Sequence, residues 1–266
     1  MDLQTIGSDD LTVVIDPSTP VPTIVHWGRS PGDPNGIRRA IGRPRAPATL
    51  DDDAHLSLLP LAATGFAGRP GLECHRAGGA LTPRFAGHRW SAGGDADSFW
   101  FECSDDRSGV GVAGTIRVGD VVEVELQVTN EGDDPLFVDH LAVTLPLPDT
   151  ADEILRLTGQ WCAEFQPLRL PWPAGAHLIE TRRGRTGHDS VPVGFAGPSG
   201  FGEHDGDVHG IHLAWSGSHT TRFERLPDGR RFVQSGVLLA PGEVALAPGE
   251  SVVAPTVLAV SGVGRR

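Results

Sequence analysis

The sequence predicts an all-β fold, and three observations carry that reading. Glycine (35) and proline (22) together make up about a fifth of the 266 residues, which suits many strands and turns and not long helices. Within Asp120–Asn130, Val122, Val124, Leu126 and Val128 alternate with Glu123, Glu125 and Gln127, the period-two pattern of a strand with one buried face. Nowhere do strands alternate with helical patterns, so the expected architecture is a sandwich of two broad, mainly antiparallel sheets with few or short helices. One domain covering 1–266 is expected.

Taken in order, Leu11–Asp16 and Pro22–Gly28 read as an opening strand pair across a Pro-rich turn. Ser30–Asp53 is polar and rich in Arg and Pro, hence loop, and Leu56–Leu72 is an extended, packed apolar loop. The strand at Asp120–Asn130, the turn Glu131–Pro135 and the strand Leu136–Pro148 are expected to form a hairpin. Ala151–Trp161 fits one or two helical turns or a strand equally well. The C-terminal part repeats strand, Pro-Gly-Glu turn, strand, with Pro and Gly where a tight reversal needs them.

Composition removes several function classes. All 22 basic residues are Arg, which excludes a P-loop lysine, a Schiff base and a pyridoxal-phosphate anchor; no cofactor is expected. A net charge of −12 disfavours nucleic acid and anionic membranes as partners. Cys74, Cys103 and Cys162 are odd in number and widely spaced, which fits a reducing compartment rather than a disulfide framework. The first twenty residues lack the basic and apolar regions of a signal peptide, and no apolar run approaches about 18 residues, so a cytoplasmic location is expected.

Polar chemistry is densest in Arg182–Arg225, which carries His188, His204, His209, His212, His219 and Trp215. A metal site would start from His204, Asp205, Asp207, His209 and His212. His209 and His212 are three apart and point to opposite sides of a strand, so turn and surface roles fit better and no metal is assigned. No serine sits in a GxSxG elbow, and Gly194–Gly202 lacks the spacing of a nucleotide cradle. Sequence spacing cannot single out a pair of glycosidase carboxylates among 34 acids. Core packing accounts for most tryptophans in β domains. Trp172, between prolines, is the one least readily given to the core, and Trp215 in AWSGSH, with Trp27, Trp90, Trp100, Trp161 and Trp172, is a candidate platform for a sugar ring.

Several blocks, in order, carry a resemblance: Leu56–Leu72, Thr129–Pro148, Ile154–Phe165, the RRGRTGHDS of Arg182–Ser190, Ala214–His219 and Leu246–Pro255. Together they resemble the N-terminal β-supersandwich domain of family 36 glycoside hydrolases, the α-galactosidases, from about Val21 to Val260. The resemblance implies a domain that precedes a (β/α)8 barrel holding both catalytic aspartates, whose KWDxN-like and RxD-like motifs are not in this chain. No catalytic residue is therefore assigned here, and the ending SGVGRR departs from the relatives' continuation. The implied partners are an α-galactoside sugar, the barrel and further copies of the chain, whose N-terminal domains help to close a neighbour's pocket. Asp51 and Thr186 resemble positions that reach the sugar, His188 supports their loop, and Trp215 faces the same side. Two other readings stay open. One is a free-standing carbohydrate-binding module. The other is a mutarotase-like enzyme needing a carboxylate beside His188, His209 or His212 on a concave sheet face.

Overall fold

The computed structural model describes residues 3–32, 36–37, 55–93 and 97–263. Its strands are antiparallel and sort into three sheets. A small sheet holds β1 (Gln4–Gly7), β2 (Thr12–Asp16) and β3 (Thr23–Gly28). Over residues 55–71 the chain holds one 3₁₀ turn (Ala62–Thr64), and then β4 (Leu72–Arg76) and β5 (Gly79–Leu81) form one edge of a seven-stranded sheet. The chain then runs β6 (Gly87–Ala92), β7 (Ser98–Asp105), β8 (Val110–Val118) and β9 (Val122–Asn130) as a meander in a ten-stranded sheet. β10 (Leu136–Leu147) returns to the first large sheet, and β11 (Glu153–Gln160) with β12 (Ala163–Pro171) makes the far edge of the second. β13 (Gly175–Thr181), β16 (His219–Arg225) and β17 (Arg231–Val237) complete the seven-stranded order β13-β16-β17-β10-β4-β5. β14 (Val193–Gly197), β15 (Asp207–Leu213) and β20 (Val257–Val263) complete the order β12-β11-β14-β15-β20-β9-β8-β7-β6. β18 (Val244–Leu246) pairs with β10 and β19 (Ser251–Val253) with β9.

This is the expected all-β sandwich of two broad sheets. The alternation in β9 is expressed directly, with Val122, Val124, Leu126 and Val128 buried and the residues between them half-buried. Both Pro-Gly-Glu turns form with the same chemistry. The amide of Ala240 donates to Glu243 Oε2 at 2.7 Å and that of Ala247 to Glu250 Oε2 at 2.8 Å, with Gly242 and Gly249 at φ 76° and 80°.

Two expectations are corrected. β9 and β10 do not form a hairpin: β9 pairs with β8, β19 and β20, whereas β10 pairs with β4, β17 and β18. Leu141 through Leu145 are consecutively buried, so β10 has no solvent face to hold at an edge and serves as a central strand of the other sheet. Trp172 belongs to the core. It is 8% exposed, lies edge-on to Phe223 at 5.9 Å, and carries the Arg231 guanidinium over its face at 5.6 Å. The ambiguous Ala151–Trp161 segment is strand β11.

The sheets meet face to face through one apolar cluster. Phe223 of the seven-stranded sheet is fully buried against Gly194 of the ten-stranded sheet, where an added Cβ would lie 2.7 Å from the ring. Trp27 ties the small sheet to both others: its Nε1 donates to the Pro146 carbonyl at 2.6 Å, and its ring meets His209 edge-on at 4.7 Å. Burial pushes His209 down to about 4. His140, paired with Gln234 Oε1 at 3.2 Å, is likewise pushed down to about 4, chiefly by burial. Among the described residues no helix is long and apolar enough to cross a membrane.

Phe223→Ala is expected to cost about 3–5 kcal/mol in urea unfolding, because Gly194 leaves nothing to fill the cavity. The buried histidines set a pH dependence. The unfolded chain protonates them at their ordinary 6.5 while the fold holds them neutral down to about 4. Their contribution is therefore complete above pH 6.5 and declines as pH falls towards 4, by roughly 2–3 kcal/mol for each. His209→Phe should flatten that decline; an unchanged pH profile contradicts it.

Candidate functional site

The loop between β13 and β14 follows a polar run with three glycines nearby, and three sets of bonds fix it. Arg156 Nη2 and Thr158 Oγ1, both on β11, donate to the Asp189 carbonyl at 2.9 and 3.2 Å. Arg183 Nη1 pairs with Asp189 Oδ1 at 3.1 Å. On the opposite side, the Thr186 amide and Oγ1 both donate to the Ser216 carbonyl, at 2.7 and 3.2 Å, and the Gly184 amide donates to Ser218 Oγ. The loop is thus held between β11 and the 214–218 turn.

Between this loop and the end of β11 lies a concavity of about 510 Å³, lined by Gly159, Gln160, Arg185, Thr186 and His188 among others. Its size falls within the range usual for small-molecule sites. Thr186 and His188 are therefore brought together. Thr186 commits its proton to Ser216, which leaves its oxygen lone pairs able to accept from a ligand hydroxyl. Trp215 sits on the adjoining turn, one residue beyond Ala214 and outside β15, not on a strand as expected. It is 44% exposed with its indole over Gly217, and it does not line the concavity. Asp51 lies outside the described residues.

The sequence offers Trp161 only as one of six tryptophans able to carry a sugar ring, with core packing the commoner fate. Trp161 stands at the turn between β11 and β12, is 78% exposed, and meets His188 edge-on at 6.1 Å. The turn is conformationally demanding: Cys162 and Phe165 have φ of 63° and 55°, and Gly159 at φ 150° would place a Cβ 2.2 Å from the Ala163 carbonyl. Only the Gly159–Gln160–Trp161 spacing hinted at this, and core packing is the commoner fate of a tryptophan.

The groove holds no nucleophile with an adjacent base. Asp189 is engaged by Arg183, and burial pushes Cys74 and Cys103 up to about 12, far from a reactive thiolate. Among the described residues no cluster of three or more His, Cys, Asp or Glu is placed to hold a metal, and His209 and His212 do face opposite sides of β15. The mutarotase-like expectation is corrected in its residues. None of His188, His209 and His212 has a carboxylate within bonding reach among the described residues, whereas His75 pairs with Asp139 at 2.6 Å over the Phe137 ring. That pairing joins β4 to β10 across 64 residues of sequence, which no local pattern announces.

The fold and groove define a class: a β-supersandwich of two broad sheets that presents polar loops at their crossings. The chain belongs to the glycosyl hydrolase family 36 N-terminal domain family, whose model matches residues 20–247. It is 33% identical over 229 residues to an α-galactosidase of Escherichia coli, covering 84% of this chain and 32% of that protein. It is 27% identical over 131 residues to α-galactosidase AgaA of Geobacillus stearothermophilus. The chain thus spans about a third or less of these relatives' lengths. The fold is that of a solved AgaA variant in complex with 1-deoxygalactonojirimycin, with a TM-score of 0.83 at 20% identity over 99% of this chain and 41% of that one. A putative aldose 1-epimerase of Escherichia coli shares the fold more distantly, with a TM-score of 0.51 at 16% identity over 98% of this chain and 99% of that one.

Arg156→Met is expected to release the Asp189 carbonyl and speed amide exchange across Thr186–Asp189 by about tenfold, at a global cost near 1 kcal/mol. Unchanged exchange there shows that Arg156 does not hold the loop.

Proposed function

We propose that this domain, acting as one unit over residues 1–266, scaffolds and lines the galactoside pocket of a (β/α)8 catalytic barrel and does not itself cleave the glycosidic bond. One observation carries the reading: the family-matched loop presents Thr186 and His188 in a rigid groove that lacks any acid–base or nucleophile pair. A retaining glycosidase needs two carboxylates about 5–5.5 Å apart, and here the loop carboxylate is tied to arginine. Thr186, His188 and the 214–218 turn that carries Trp215 share one side of the domain, so they orient sugar hydroxyls while the barrel does the chemistry. Asp51 is assigned to the same pocket on the family resemblance. Solved AgaA variants in complex with raffinose and with stachyose share the fold, which supports α-galactosyl oligosaccharides as the substrate class. The exposed Phe165, at 63%, supports assembly with a second copy around that pocket. Two buried thiols and one exposed thiol, all free, agree with a cytoplasmic location.

The purified chain is expected to show no turnover of 4-nitrophenyl α-galactoside. Put in place of the matching region of the Escherichia coli relative, it should restore turnover, and Thr186→Val in that setting should raise KM about tenfold with kcat little changed. Turnover by the chain alone, or an inactive, folded replacement, sinks the proposal.

A further inference from the structure

We propose that Trp161 and Arg185 form a subsite for the sugar units of an α-galactoside that lie beyond its terminal galactose, a reading that rests on the pocket-lining function above. The argument starts from the state of the arginines. Arg182 and Arg183 are each tied to a carboxylate, Glu180 at 3.2 Å and Asp189 at 3.1 Å. Arg185 lines the groove, and among the described residues its guanidinium has no hydrogen-bond partner. The groove's one carboxylate, Asp189, is taken by Arg183, so the N–H donors of the Arg185 guanidinium are available to a ligand's oxygens.

Trp161 supplies the second element. An indole left 78% exposed forgoes the burial that stabilises most tryptophans, and it does so on a turn with two non-glycine residues at positive φ. The geometry is held in place: Glu164 Oε1 accepts from the Cys162 amide at 3.0 Å, and the His188 ring meets the indole edge-on, leaving an aromatic face open. An aromatic face beside hydroxyl-directed donors is the chemistry that recognises a pyranose or furanose ring: C–H groups stack on the indole while the ring's oxygens accept from guanidinium and amide. The position settles which sugar. Thr186, Gln160 and Arg185 line the concavity, whereas Trp161 does not line it and meets the lining residue His188 edge-on. A group held in the concavity therefore reaches Trp161 only through what is attached to it. The neighbouring edge strand β12 carries Pro167 and Pro171, which remove amide donors and disfavour strand-to-strand pairing there, so the tip is kept clear for a non-strand contact.

The test uses the 266-residue chain with raffinose, stachyose and free galactose as probes, followed by the Trp161 indole N–H resonance. Raffinose and stachyose should shift that resonance with a dissociation constant on the order of millimolar, and galactose should not. Trp161→Ala and Arg185→Gln should each weaken binding of both oligosaccharides at least about fivefold, and Trp161→Phe should retain most of it, with melting temperature unchanged because the side chain is exposed. An indole that does not respond, or equal binding by Trp161→Ala, overturns the subsite. So does a Trp161→Ala change that alters only sedimentation of the chain, which would make the tip a protein contact. The replacement experiment above reads aryl galactoside turnover, which carries no second sugar. Failure there with oligosaccharide binding intact counts against the pocket-lining function, and the converse counts against the subsite alone.

Discussion

The architecture turns on what happens to the chain at Asn130. There the ten-stranded sheet is left for the seven-stranded one within five residues, and no strand pairing crosses the gap to carry the backbone groups. Asn130, fully buried, supplies the replacement: its Nδ2 donates to the Asp134 and Leu246 carbonyls, each at 2.9 Å, while its Oδ1 accepts from Arg76 Nη2 at 2.9 Å. Arg76 in turn caps the Ser108 and Gly109 carbonyls at the β7–β8 turn. One side-chain cluster therefore fixes β4, the β7–β8 turn, the end of β9 and β18 relative to one another. A buried amide with every polar atom matched is rigid, and that rigidity lets β10 enter the opposite sheet in one register.

From that crossover follows the alternation of the chain between sheets. β11–β12 and β13 are laid down first at the far edges of the two sheets, and β14–β15, β16–β17 and β20 then fill the space between those edges and the strands already placed. The candidate groove is a by-product of this traffic. Its loop leaves β13 in one sheet and enters β14 in the other, and the 214–218 turn makes the reverse crossing beside it. Two crossings side by side bring polar backbone to one place, and their mutual hydrogen bonds at Thr186 and Gly184 make a floor stiff enough to present side chains.

The same sandwich occurs in an α-galactosidase structure and in that of a putative aldose 1-epimerase, so the sheets alone do not name a function. The groove's own content is a carboxylate engaged by arginine, an arginine with no side-chain partner among the described residues, and an exposed indole at its rim. The His75–Asp139 pair lies on another part of the seven-stranded sheet and does not join the groove.

The sequence by itself determined the class of fold, because period-two alternation and turn chemistry are local. β9, the β2–β3 pair and both Pro-Gly-Glu turns could be read residue by residue. It also placed Thr186 and His188 together, since they share a loop. Tertiary structure decided which strands pair. The Val122–Asn130 and Leu136–Leu147 strands look like a hairpin locally, yet β10 is buried on both faces and can be satisfied only between β4 and β17. It also decided the fates of the tryptophans: Trp172 between prolines packs against Phe223, and Trp161 is left exposed at the turn between β11 and β12. Burial is a property of the partner surface, and a partner surface assembled from residues a hundred positions away leaves no mark in the local pattern.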